Sequence, residues 1–147
     1  MARAWGGAVR VVRRLGGAVS LARAVSQVGL GLFLVSAGTS HLTVARLEFQ
    51  AQVPSWLPVD ADTVVLASGV VEILLGTALL LLWRFRATLG LLVAAFFVLI
   101  FPGNVHQFAA RIDAFGLDSD GARGLRLLGQ PILVAWALWS TRVRSRT

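Results

Sequence analysis

The stretch Thr63–Trp83, TVVLASGVVEILLGTALLLLW, decides the fold. Its only charged residue is Glu72, and its length matches the roughly 20 apolar residues a helix needs to cross the hydrocarbon core of a bilayer. Three further apolar runs surround it. Ala24–Leu42 lies upstream, Ala87–Val105 follows a very short connection, and Leu127–Thr141 closes the chain's apolar part. The last run is shorter, is bounded by Arg126 and Arg142, and could begin a turn earlier in an interfacial helix. The reading is therefore all-α: a polytopic membrane protein built as a four-transmembrane-helix bundle over residues 24–141, with spans at 24–42, 63–83, 87–105 and 127–141. Residues 1–23 form a basic cytoplasmic N-terminal segment and residues 142–147 a basic cytoplasmic tail. No internal repeat is evident.

Composition agrees. Hydrophobic residues make up 56% of the 147 and charged residues 14%, where soluble domains carry roughly a quarter. The net charge of +7 comes entirely from Arg, because the chain contains no Lys. The Arg residues flank apolar runs, which points to lipid head groups rather than nucleic acid. An Ala, Arg, Gly and Val bias without Lys reads as a high-GC bacterial genome. There is no Cys, which excludes a disulfide relay within the chain, thiolate metal sites, covalent c-type haem and cysteine nucleophiles.

Orientation follows from where the Arg residues sit. Arg3, Arg10, Arg13, Arg14 and Arg23 precede the first span without a single acid; Arg84 and Arg86 join spans two and three; Arg142, Arg144 and Arg146 end the chain. These segments should be cytoplasmic. The other two connections balance Arg46 with Glu48, Asp60 and Asp62, and Arg111, Arg123 and Arg126 with Asp113, Asp118 and Asp120. All five segments give N-in/C-in, a multi-pass protein of the cell membrane. The first 25 residues show no clean apolar region before a small-residue cleavage site, so no secretory signal is read. They fit an amphipathic surface segment or a basic tail equally well. Trp56 should anchor the outer interface, and Trp83, Trp136 and Trp139 the cytoplasmic one.

Small and polar residues mark helix faces that pack on other helices in lipid. Gln27, Gly31, Leu34, Gly38 and His41 share one face; Ser68 or Gly69, Glu72 and Gly76 share another; Ala87, Gly90, Ala94, Phe97, Phe101 and Asn104 share a third. Glu72 stands out. It lies about nine residues from either end of its span, roughly 13 Å deep, where a charged carboxylate is costly and must be protonated, paired or wet. His41, Asn104, His106 and Gln130 fall at outer helix ends, and together with Glu72 they define an expected outward-opening polar cavity. The chemistry such a cavity supports is proton exchange between Glu72 and an imidazole, as at a proton-linked or quinone site. Glu72 is the one candidate for a catalytic role; the bland alternative is a neutral acid hydrogen-bonding a neighbouring helix. No cofactor is fixed by the sequence. A quinone fits the cavity, whereas two His at helix ends make a poor haem or metal site. Pro102 predicts a kink in the third span, the alternative being a helix end at Phe101 with Pro102-Gly103 as a turn.

Five short runs carry a resemblance. They are Ala37-Gly38-Thr39-Ser40-His41, Val53-Pro54-Ser55-Trp56-Leu57-Pro58, Ser68-Gly69-Val70-Val71-Glu72, Phe101-Pro102-Gly103-Asn104-Val105, and Arg126-Leu127-Leu128-Gly129-Gln130 leading into Ile132-Leu133-Val134-Ala135-Trp136. In this order, over roughly Leu30 to Thr141, the chain resembles the DoxX-like family of small bacterial membrane proteins. The resemblance implies a four-helix membrane domain. Some members of that family are subunits of a thiosulfate:quinone oxidoreductase, and others associate with redox or oxidative-stress proteins. Its recurrent acid and histidine fall on Glu72 and His41, its Asn on Asn104 and its Gln on Gln130. Gly103 stands where Ala is more usual, which would loosen the kink, and Leu42 where Phe is common. Two functions follow as expectations: a membrane subunit of a quinone- or sulfur-linked redox system, drawing electrons from a partner protein; or a non-catalytic scaffold or assembly factor for a partner complex or a homo-oligomer. A small transporter ranks behind both, since four helices without a repeat are few for one.

Overall fold

The computed structural model describes residues 2–142, with side chains from Ser20 onward. The distal basic tail, residues 143–147, lies outside the described residues. Among the described residues every element is helical: α1 spans Ala2–Leu42, α2 Arg46–Gln50, α3 Ala61–Leu81, α4 Arg86–Ala109 and α5 Asp120–Thr141. One 3₁₀ turn, Trp83–Phe85, links α3 to α4. Among the described residues, three stretches are long and apolar enough to cross a membrane: Ser20–Leu42, Ala61–Leu81 and Trp83–Ala109.

At both ends the helices reach beyond the apolar runs. The apolar stretch of α1 is Ser20–Leu42, but the helix itself runs unbroken from Ala2 for 41 residues, about 60 Å and twice a bilayer's hydrocarbon thickness. Helix α5 begins at Asp120, two turns before the expected Leu127. Ser119 caps it by accepting a hydrogen bond from the Ala122 N–H at 3.3 Å. Arg126, Gly129, Gln130, Pro131, Ser140 and Thr141 dilute its apolar residues, and α5 is not among the helices apolar enough to span.

Pro102 lies inside α4, which continues to Ala109. The alternative of a helix end at Phe101 is overturned. Asp60 caps α3 by accepting from the Thr63 N–H at 2.9 Å.

Helix α1 packs antiparallel on α3, and α4 on α5; α1 also touches α5, while α3 and α4 meet only lightly. The α1–α3 seam is built by glycine. A methyl group on Gly38 would lie 2.4 Å from the Gly69 carbonyl oxygen, and one on Gly76 2.6 Å from the Gly31 carbonyl oxygen. The two backbones therefore touch at two points about 10 Å apart along the helices, as small-residue seams allow in lipid. Gln27 extends the seam by donating to the Leu79 carbonyl at 2.9 Å. Leu30, Leu34, Leu79, Val93, Phe97 and Ala137 fill the common core.

On the second seam, a methyl group on Gly90 would collide with Thr141 at 1.8 Å. Arg86 closes that end of α5, donating to the carbonyls of Thr141 at 3.3 Å and Arg142 at 2.9 Å. Trp136 was expected as an interface anchor. It joins α5 to α1, its indole N–H donating to Ser26 Oγ at 2.7 Å while its ring lies 6.0 Å from Phe33. Trp56 and Trp139 are exposed, as anchors require, and Trp83 is exposed at the end of α3.

Candidate functional site

Side chains on an α-helix lean toward its N-terminus. In an antiparallel pair they lean toward one another. The glycine contacts set the register, so His41 stands about 9 Å along the seam from Glu72. His41 leans back along α1 and Glu72 back along α3, and they meet over the Gly38–Gly69 crossing. His41 Nδ1 lies 2.8 Å from Glu72 Oε2, with both side chains buried. No other polar group bonds either atom. The pair is an imidazole and a carboxyl facing each other between two helices, away from water.

The other face of the His41 ring is covered. Phe49 of α2 packs on it with ring centroids 3.5 Å apart, and Phe115 packs edge-on against Phe49 at 4.6 Å. Phe115 belongs to the α4–α5 connection and has a left-handed backbone, φ 58°. That strained conformation directs its N–H to the Glu48 carboxylate at 2.5 Å. Behind Phe115, the Arg126 guanidinium lies 4.3 Å over its ring. Arg123 organises the same connection: almost wholly buried, it binds Asp113 at 2.5 Å, Asp120 at 2.8 Å and the Leu117 carbonyl at 3.0 Å. The Arg123 guanidinium holds the Asp120 carboxyl below the usual carboxylate range.

A second clasp ties α2 to α3. Arg46 donates Nε to Asp62 Oδ1 at 2.6 Å and pairs its Nη2 with Oδ2, and Gln50 donates to Asp62 at 3.0 Å. The hydrogen bond from Arg46 keeps the Asp62 carboxyl below its ordinary range.

Beside the pair is a cavity of about 630 Å³, well within the range of small-molecule sites. His41 and Glu72 belong to its wall. Val64, Val71, Phe96, Leu99 and Ile100 supply the apolar sides from α3 and α4, and the α2–α3 connection from Gln52 to Val59 supplies the roof. The lining is overwhelmingly apolar. At its rim Trp56, Val59, Val71 and Leu99 are exposed, so the opening lies in the lightly packed groove between α3 and α4.

Of the five expected site residues, the structure brings two together in this cavity. Asn104 and Gln130 are buried on the α4–α5 seam instead. Gln130 donates to the Phe97 carbonyl at 3.1 Å, and Asn104 accepts from Arg126 Nε at 3.3 Å. His106 is half-exposed on α4 and is not part of the cavity wall. The sequence reading missed Phe49 and Gln52. Their signal in the sequence is the apolar, proline-stiffened connection Phe49–Pro58.

Residues 30–141 match the model of a family described as a domain of unknown function, DUF8561. The chain belongs to the DUF8561 family. No curated protein and no solved structure matches it. The DUF8561 domain takes in both glycine contacts, His41, Glu72 and the whole cavity wall, so the candidate site lies inside the family's domain rather than in the N-terminal extension of α1.

Proposed function

We propose that the chain is a DoxX-like integral membrane protein of the cell membrane, with α1, α3, α4 and α5 as four transmembrane helices and both ends in the cytoplasm. Its function is that of a membrane subunit in a quinone- or sulfur-linked redox system. One observation carries this reading: a buried His41–Glu72 couple, 2.8 Å apart, forms the polar wall of an apolar cavity. Exposed apolar residues on all three spanning stretches, such as Phe33, Leu74 and Leu99, support a lipid environment.

The fit to a quinone head rests on that couple. A ligand with an apolar ring and tail suits walls of Val, Leu, Ile and Phe, and its oxygen meets the wall's unpartnered polar atoms. A bound quinone supplies two-electron, two-proton chemistry, the electrons coming from a partner redox protein. Glu72 and His41 hold one proton between them and can deliver or accept it at the ligand's oxygen. Phe49, the roof of the cavity and the clasps that hold them keep water from the couple. The α3 end that carries Asp60 faces outward in the proposed topology, so the cavity lies in the outer half of the membrane.

The test is quinone binding to purified protein in nanodiscs, together with quinone reduction in membranes carrying Glu72→Gln. Binding in the wild type and loss of reduction in the variant are expected. If the protein binds no quinone and the variant reduces it normally, Glu72 is a structural hydrogen bond, and the scaffold reading takes its place.

A further inference from the structure

The cavity wall holds few polar side chains: His41, Gln52, Thr63, Ser68 and Glu72, with the exposed indole of Trp56 at the rim. Two of them are already used. Thr63 Oγ1 donates to Asp60 Oδ2 at 3.1 Å, and Ser68 Oγ donates to the Val65 carbonyl at 2.9 Å. His41 and Glu72 face each other. Gln52 is left. Its amide nitrogen, Nε2, is buried and has no partner.

The position of Gln52 is fixed by its backbone. Its N–H donates to the Phe49 carbonyl at 3.1 Å. Its own carbonyl rests on α4 at Gly103, where a methyl group would lie only 2.5 Å from it. Gly103 is thus required for close approach, and it presses the Gln52 segment onto the cavity. The neighbours Val53, Pro54 and Leu57 are apolar, so the Gln52 amide is the buried donor that the roof presents, the Trp56 indole lying exposed at the rim. Burying an amide donor without an acceptor is unfavourable; an acceptor inside the cavity removes the penalty.

We propose that Gln52 is a specificity-determining residue of this site: its side-chain amide donates a hydrogen bond to a carbonyl-type oxygen on an amphiphile held in the cavity, giving a second polar contact beside the His41–Glu72 couple. This rests on the ligand-binding reading above and adds the chemical class the cavity selects. Ligands with an apolar body and a carbonyl-type acceptor on the head bind, and hydrocarbons of the same shape are discriminated against.

The experiment uses the full chain in nanodiscs, with a short-chain benzoquinone and an alkylbenzene of matching size as probes. Dissociation constants are measured for wild type, Gln52→Met and Glu72→Gln. Gln52→Met keeps the side chain's length and removes the donor. It should weaken benzoquinone roughly tenfold and leave the alkylbenzene within twofold, and the ligand-free variant should melt no earlier than wild type. Glu72→Gln should retain the preference for benzoquinone over alkylbenzene. Unchanged benzoquinone affinity in Gln52→Met would overturn the assignment, meaning that water or nothing satisfies the amide. Equal weakening of both probes would overturn it too, by showing that Gln52 only packs the roof. A wild type that binds neither probe would instead overturn the ligand-binding reading itself.

Discussion

Replacing Gly38 by Ala tests the architecture at its tightest point. The added methyl would stand 2.4 Å from the Gly69 carbonyl oxygen, 2.9 Å from Ile73 Cγ1 and 3.0 Å from Glu72 Cβ. The first neighbour is backbone and cannot rotate away, so α1 and α3 must part by about 1 Å to restore ordinary contact. Overpacking of this kind costs about 1–3 kcal/mol. Because both helices are stiff, the displacement also opens the Gly31–Gly76 contact. A second substitution, Gly31→Ala, should therefore cost less in the Gly38→Ala background than alone, the reverse of the additivity expected for independent sites. The same movement draws His41 away from Glu72, so ligand binding should weaken along with stability. Reversible unfolding by detergent titration in bicelles reads the stability, and quinone binding in nanodiscs reads the site. A Gly38→Ala variant within about 0.5 kcal/mol of wild type, the range of ordinary surface changes, would refute the backbone contact and the register built on it.

Other outcomes follow from single contacts. Asp62 is held below the usual carboxylate range by Arg46, so the α2–α3 clasp contributes at neutral pH and is lost as pH falls below that range; Asp62→Asn should mimic the acid state at pH 7, read as faster proteolysis within residues 46–60. Trp136→Phe removes the donor to Ser26 and should loosen the α1–α5 contact by about 1 kcal/mol, measured by the same bicelle titration, whereas Trp56→Phe at the exposed rim should leave stability unchanged. Gly103→Ala should push the Gln52 carbonyl off α4 at a cost of about 1–3 kcal/mol and weaken benzoquinone binding in nanodiscs, while Gly121→Ala, where a methyl meets open space, should do neither.

The sequence made the helices and their contact faces legible because each signal is local. Gly31, Gly38, Gly69 and Gly76 fall at heptad-like steps, and in lipid only small residues permit such faces to approach. Glu72 was conspicuous as an acid within an apolar run, and His41 shares a face with the glycines that pack on α3. What stayed hidden depends on how helices rotate against one another. Asn104 and Phe97 lie seven residues apart on one face of α4, and that face meets α5; the cavity takes a different face, Phe96, Leu99, Ile100 and Gly103. Periodicity gives the phase within a helix but not which neighbour each face meets. Trp136 shows the same limit, since nothing in the sequence pairs its indole with Ser26, which lies 2.7 Å from its nitrogen. The closures over His41 were equally out of reach. They depend on Phe49 and Phe115, which are far apart in sequence and are joined by a left-handed backbone at Phe115 that no pattern in the sequence announces.

The central claim is that Glu72 and His41 share a proton beside a ligand. Difference infrared spectroscopy of wild type against Glu72→Gln in nanodiscs, with and without benzoquinone, measures the Glu72 carboxyl directly. The account predicts a carboxyl band, absent from the variant, that shifts when benzoquinone is added and changes again in His41→Ala. A Glu72 band indifferent to benzoquinone, in a protein whose variant merely unfolds earlier, would contradict it and leave the couple as a structural link between α1 and α3.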